Sequence, residues 1–153
     1  MMNKDDFKRL VNDVLVGIGL HSDNAVQLLL GTCAQESAFG KYRRQIGGGP
    51  AQGIFQMEPA TFRDIVENYL NFKPELKRKI MRESDVTDLD NPEEIVFNDR
   101  LAICMARVHY LRVSEAIPSD LEGWAYYWKK YYNTHLGRGT EYEFVCNYKR
   151  YCV

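Results

Sequence analysis

Nothing in this chain approaches the run of about 18 or more apolar residues that a membrane-spanning helix needs, so a bundle of such helices is excluded. Charge of one sign is also missing: 20 Lys plus Arg stand against 21 Asp plus Glu, for a net charge of -1. A dedicated nucleic-acid-binding domain would normally be basic, so that class is not expected. The amino terminus, Met1-Met2-Asn3-Lys4-Asp5-Asp6-Phe7, is too polar to serve as the apolar region of a signal peptide, and ordinary secretion is not expected. Cysteine is sparse, with four residues, no C-x-x-C pair and no zinc spacing. Cys33 and Cys104 sit in apolar stretches and are expected to be reduced and to pack as small hydrophobes. Cys146 and Cys152 lie near the end of the chain, and spacing alone leaves their pairing open.

Several chemical signatures are absent as well. Gly47-Gly48-Gly49-Pro50 is not followed by Gly-Lys-Ser/Thr, so it is no phosphate loop. There is no G-x-S-x-G and no H-E-x-x-H, and His21, His109 and His135 are too scattered to suggest a metal site. His109 falls in the most apolar stretch and is read as a satisfied core histidine. No alternation of strand type runs beyond a few residues, and no internal repeat is present.

What remains is an ordinary globular mixture, 45% hydrophobic and 27% charged over 153 residues. That length supports one domain, 1–153, which buries roughly 68–70% of its unfolded surface without a disulfide or metal staple. Helix signals dominate. Phe7, Leu10, Val11, Val14, Leu15 and Ile18 form one apolar stripe from Lys4 to Ile18. A second helix is expected from a Ser22 or Asp23 cap, burying Val26, Leu29, Leu30 and Cys33 and ending near Gly40. A third opens at Pro59 and carries Phe62, Ile65, Val66 and Tyr69 on one face. Lys73 to Arg82 reads as a short exposed helix. Asn91-Pro92-Glu93-Glu94 reads as the capped start of a helix through Leu101 and Leu111, apolar nearly all round and so expected mid-bundle. Ser119 with Glu122 and Thr140 with Glu143 make two further capping boxes. The first of these precedes Trp124, Tyr127, Trp128 and Tyr131, whose helical spacing reads as core; Tyr126 and Tyr127 are alternatively rings for stacking on sugars. The expected class is mainly α, with an irregular segment over residues 40 to 57.

The informative segment is Ala34-Gln35-Glu36-Ser37-Ala38-Phe39-Gly40. It puts a carboxylate in the last turn of a helix that is otherwise apolar on its buried side. The negative end of the helix dipole disfavours added negative charge there. Burial would raise the carboxyl pKa in the same direction, which is how a general acid stays protonated near neutral pH. The competing reading is a solvated last-turn glutamate beside a loop.

Two motifs bear on that choice. Glu36-Ser37-Ala38-Phe39, at a helix end, and Gly53-Ile54-Phe55-Gln56-Met57-Glu58-Pro59-Ala60-Thr61 together resemble the lytic transglycosylase and goose-type lysozyme superfamily. That family's corresponding motifs are Glu-Ser at a helix end and a Gly-Leu-Met-Gln loop followed by Pro and Thr. Tyr132-Asn133-Thr134-His135 resembles a degenerate form of its later Tyr-Asn-Ala-Gly turn, with Ala-Gly replaced. The glycine-rich segment Gln45 to Gln52 departs from the family's usual Ser-containing one.

The resemblance implies a single-domain, lysozyme-like helical fold with an irregular active-site loop, acting on the glycan strands of bacterial peptidoglycan at the MurNAc–GlcNAc β-1,4 bond. Glu36 would be the catalytic acid and then the base that helps the muramic acid C6 hydroxyl close a 1,6-anhydro ring. A hydrolase usually needs a second carboxylate, about 5–5.5 Å away for retention or about 6.5–9.5 Å for inversion. Between Glu36 and Met57 there is none, which favours the transglycosylase over a muramidase, unless Glu58 or Asp64 folds into range. Substrate-binding roles fall by resemblance on Ser37, Phe55, Gln56, Met57, Tyr132 and Asn133. For Ser37 the alternative is a bond to helix carbonyls, for Gln56 a loop-anchoring amide, and for Phe55 and Met57 core packing. Lys41, Arg43 and Arg44 either meet anions near the cleft or are solvated. No cofactor or metal is implied. The expected partners are peptidoglycan strands, with other virion proteins in the case of a bacteriophage enzyme; neither nucleic acid nor membrane insertion is expected, and the default state is monomeric. The expected setting is virion-associated, or host cytoplasm with release to the cell wall. The rival from another class is a non-catalytic glycan-binding or virion structural module.

Overall fold

The computed structural model describes residues 1–153 and is mainly helical, with no sheet and no helix long and apolar enough to cross a membrane. α1 (Lys4–Gly17) starts at Asn3, whose side-chain oxygen accepts from the amides of Asp5 and Asp6. Its apolar stripe buries Phe7, Val11, Val14 and Leu15. α2 (Asp23–Ser37) is capped by Ser22 and buried on nearly every side. α3 (Pro59–Asn68) opens on proline as expected, and a short 3₁₀ turn (Leu70–Phe72) leads into α4 (Pro74–Ser84), which buries Ile80 and Ser84. α5 (Asp99–Leu111) is buried over most of its length, in keeping with its all-round apolar sequence. α6 (Leu121–Trp128) runs without a break into one turn of π-helix (Lys129–Asn133), and α7 (Glu141–Tyr151) closes the chain behind its Thr140 cap.

Three boundaries differ from the sequence reading. α2 stops at Ser37 rather than near Gly40, because Ala38 and Phe39 already take positive φ of 50° and 60°. Asn91 does accept from Glu93 N–H, but only to cap a 3₁₀ turn (Pro92–Val96); α5 starts afresh at Asn98, whose Oδ1 accepts from Leu101 N–H while its amide donates to Ser84 O. Asp120, not Ser119, caps α6 through Gly123 N–H.

One continuous core joins all seven helices. α2 lies against α1, α5, α6 and α7, so residues at its carboxyl end have helices around them on most sides. Close approach of α7 depends on Gly31, where a Cβ would lie 2.3 Å from Phe144 Cζ. Cys33 and Cys104 are buried and all four thiols are free. Trp124, Tyr127 and Trp128 are core residues, while Tyr126 is partly exposed.

Candidate active site

Glu36 stands in the last turn of α2, where its carboxyl is largely desolvated. Its Oε2 accepts a hydrogen bond of 3.0 Å from Nε1–H of Trp128, the last residue of α6. Oε1 has no partner in the protein, and since no buried side-chain oxygen is left unsatisfied, it is the oxygen open to solvent or substrate. Burial lifts the carboxyl from its ordinary value near 4.5 to about 7, against the smaller lowering effect of the indole N–H. No neighbouring charge contributes, so burial is what favours the protonated form of Glu36.

The loop that faces it is built by hydrogen bonds from both sides. Ser37 is fully buried; its hydroxyl donates to Ile54 O at 2.7 Å and accepts from Gly40 N–H at 2.8 Å. Its oxygen is therefore spent on pinning the loop to the end of α2, which leaves the hydroxyl no access to a ligand. Tyr132 ties the next carbonyl from the other side, its hydroxyl donating to Phe55 O at 2.6 Å. Gln52 and Met57 pair in a short antiparallel bridge. Between them Gly53 and Gln56 take φ of 78° and 49°. At Gly53 a Cβ would stand 2.6 Å from Ile95 O, so only glycine fits that turn.

A cavity of about 300 Å³, near the lower end of ordinary ligand sites, opens between this loop and the π turn. Gln56, Glu58, His109, Tyr132, Asn133 and Thr134 are among the residues that line it. Tyr132 is shared with the acid: its hydroxyl is pushed well above its usual value by burial, then by the charge of Glu36. Met57, although buried, forms part of the cavity wall, whereas Phe55 turns inward against Phe7. The Gln56 amide donates to Gly53 O and Tyr42 O, which anchors the loop and leaves its side-chain oxygen for the cavity. Of the residues singled out from sequence, Gln56, Met57, Tyr132 and Asn133 line the cavity, Ser37 and Phe55 are buried, and Glu36 does not line it but lies close enough to Tyr132 for its charge to be felt there.

Three residues read as core turn out to face the site, among them Tyr131, which is partly buried and lines the cavity. His109 is only partly buried; it lines the cavity with its ring edge-on to Tyr132 at 5.1 Å. Desolvation lowers its pKa, which favours the neutral imidazole. Trp128 is buried as expected, but its N–H belongs to Glu36. The one available signal was that a buried indole requires a partner for its N–H, and spacing does not say which.

Of the cations of the preceding segment, the two arginines are ion-paired and Lys41 is exposed over the Tyr42 ring. Arg43 makes a two-pronged pair with Asp99, at 2.6 and 3.1 Å, and Arg44 pairs with Glu93. Asp64 on α3 does not line the cavity, although its charge is felt at His109; it is bound to Arg112 at 2.8 Å and to Asn68. Glu58 is the one carboxylate besides Glu36 at the site, exposed at the cavity rim. No three His, Cys, Asp or Glu side chains stand close enough to hold a metal ion. Such an arrangement can deliver a proton to a bound oxygen and take one back; it offers no nucleophile–base pair. Comparison with protein-family models, with curated proteins and with solved structures finds no match to this chain.

Proposed function

We propose that this protein cleaves the MurNAc–GlcNAc β-1,4 bond of peptidoglycan by a lytic transglycosylase reaction. The observation that carries the proposal is the lone Glu36 carboxyl in the last turn of α2, held by the Trp128 indole and felt electrostatically by Tyr132 of the cavity wall; burial, which raises it toward 7, supports it. The motifs around Glu36 and from Gly53 to Thr61, which resemble those of that superfamily, supply the substrate class.

The reaction needs one proton moved twice. Protonated Glu36 gives its proton to the glycosidic oxygen as the bond from muramic acid C1 breaks with oxocarbenium character. The resulting carboxylate then takes the proton of the C6 hydroxyl as that oxygen bonds to C1. An acid poised near 7 serves both steps, because neither protonation state is rare at neutral pH. The cavity between the loop and the π turn holds the sugar, with the Gln56 side-chain oxygen and the Asn133 amide as polar contacts. A phage enzyme, borne on the virion or released from the infected cell, is the setting in which this activity meets its substrate.

The test is mass spectrometry of purified peptidoglycan digested with wild type and with Glu36→Gln. The expected products end in 1,6-anhydromuramic acid and are lost, by about 10³-fold or more, in the variant. Products that have gained water would replace this reading with a muramidase that uses Glu58 or a positioned water. Absence of any product from wild type would favour the glycan-binding module, and equal products from both proteins would remove Glu36 from the mechanism.

A further inference from the structure

Residues 134–139 form a strap over the back of the site. Its start is strained: Thr134 takes φ 67° and ψ 172°, a region that non-glycine residues rarely enter and hold only when their surroundings impose it. Two of its residues are glycines, and both lie hard against side chains of the site. A Cβ on Gly137 would sit 2.4–2.6 Å from the Asn133 amide group, and one on Gly139 would sit 2.6 Å from Cη2 of Trp128. The carbonyls of these same glycines accept from one ammonium, Lys129 Nζ, at 3.0 and 2.7 Å. Its third hydrogen bond, 2.7 Å, goes to Asn133 Oδ1. Lys129 makes no ion pair. Its three donors converge on three neutral oxygens, which also fixes the Asn133 amide with its nitrogen free for the cavity.

We propose that Lys129 is a positioning residue: by drawing Gly137 and Gly139 together it lays the strap across the Trp128 indole and so keeps the indole N–H on Glu36. It acts through the indole and not through its charge, since the ammonium does not perturb the carboxyl directly. The titratable groups around Glu36 are the hydroxyls of Tyr110 on α5 and Tyr132 on the π turn, both raised by burial first; beside them stands only the uncharged Trp128 of α6.

The inference rests on reading Glu36 as the acid, and its test needs no substrate. The Glu36 midpoint is followed by carbon NMR of labelled glutamate in the full chain, with Glu36→Gln identifying the signal. Lys129→Met removes all three bonds on an apolar stem; Gly139→Ala leaves them in place but pushes a methyl into the indole. Either change is expected to loosen the indole bond, which is the contact that lowers the carboxyl. Both variants are therefore expected to raise the midpoint by about half a unit or more, with the Trp128 indole N–H signal ceasing to follow the Glu36 titration. A merely structural strap would lower the melting temperature and leave the midpoint alone. An unchanged midpoint in either variant, with the helical circular dichroism intact, overturns the proposal; if Lys129→Met does not fold, Gly139→Ala decides alone. A raised midpoint in a protein that cleaves no peptidoglycan overturns the proposed function and leaves the clamp standing.

Discussion

A carboxyl held near 7 inside a folded chain is a liability to stability wherever it is ionised, and Glu36 makes that liability measurable. Its folded pKa lies above its unfolded one, so the folded state binds the extra proton between about 4.5 and 7. Stability contributed by the protonated form is complete below the lower value and is lost as pH rises through the upper one. A shift of this size corresponds to about 3 kcal/mol once the group is fully ionised. Glu36→Gln keeps the shape without the charge, so it is expected to match wild type in urea unfolding at pH 4. At pH 8 it should exceed wild type by up to about 3 kcal/mol. A stability difference that does not change with pH would mean the carboxyl is hydrated. The same midpoint sets the activity profile. As a general acid, Glu36 is expected to let kcat/KM fall about tenfold per unit above pH 7, measured on soluble glycan fragments.

At the scale of elements, what the sequence made legible was what is settled within a turn or two. Ser22 and Thr140 cap their helices by bonds to amides three residues on, and Pro59 opens α3, because these are local interactions that a residue type announces. The misread boundaries are those set from a distance. Asn98 wins the start of α5 partly through Ser84, and α2 ends early where the Ser37 hydroxyl is taken up by Ile54 O. The loop from Gly53 to Met57 belongs to both kinds. Its composition announced a non-helical segment, but its shape comes from Ser37, Tyr132 and Ile95, remote in sequence. Gly53→Ala tests that tertiary part. Here the new methyl meets a backbone carbonyl, which cannot swing aside, and the residue must also hold φ of 78°. The expected loss is about 2–4 kcal/mol, the sum of an overpacked contact and a left-handed alanine, read as the shift of the urea midpoint. Activity should fall further than stability, since Gln56 and Met57 move with the turn.

Across the whole molecule, one part of the candidate site was visible in the stretch from Glu36 to Thr61 and another in Tyr132 and Asn133, while Trp128, His109 and Tyr131 were not. Trp128 and His109 reach it only because α5 and α6 pack on α2, a fact that helical spacing leaves open; a buried tryptophan looks alike whether its N–H serves a carbonyl, as in Trp124, or an acid. The packing that brings α6 to Glu36 is itself braced by α7. Phe144 is fully buried with its ring 5.4 Å from that of Trp128, and it fits because Gly31 has no side chain. Alanine in a helix interior normally stabilises by about 1 kcal/mol over glycine. At Gly31 the sign is expected to reverse, since the added carbon would overlap the Phe144 ring at 2.3 and 2.8 Å. A net loss of about 1–3 kcal/mol is expected in chemical unfolding. Phe144→Leu alone opens a hole and also destabilises, but in the Gly31→Ala background the smaller side chain makes room for the methyl. The double variant is therefore expected to be more stable than the two single losses would give by addition, by about 1 kcal/mol or more. Simple additivity would show that α7 yields to the methyl as a unit and that the Gly31–Phe144 contact does not set its seat. Activity then discriminates one step further: if α7 braces Trp128, the double variant should recover stability and still cleave slowly, because leucine does not restore the ring that packs on the indole.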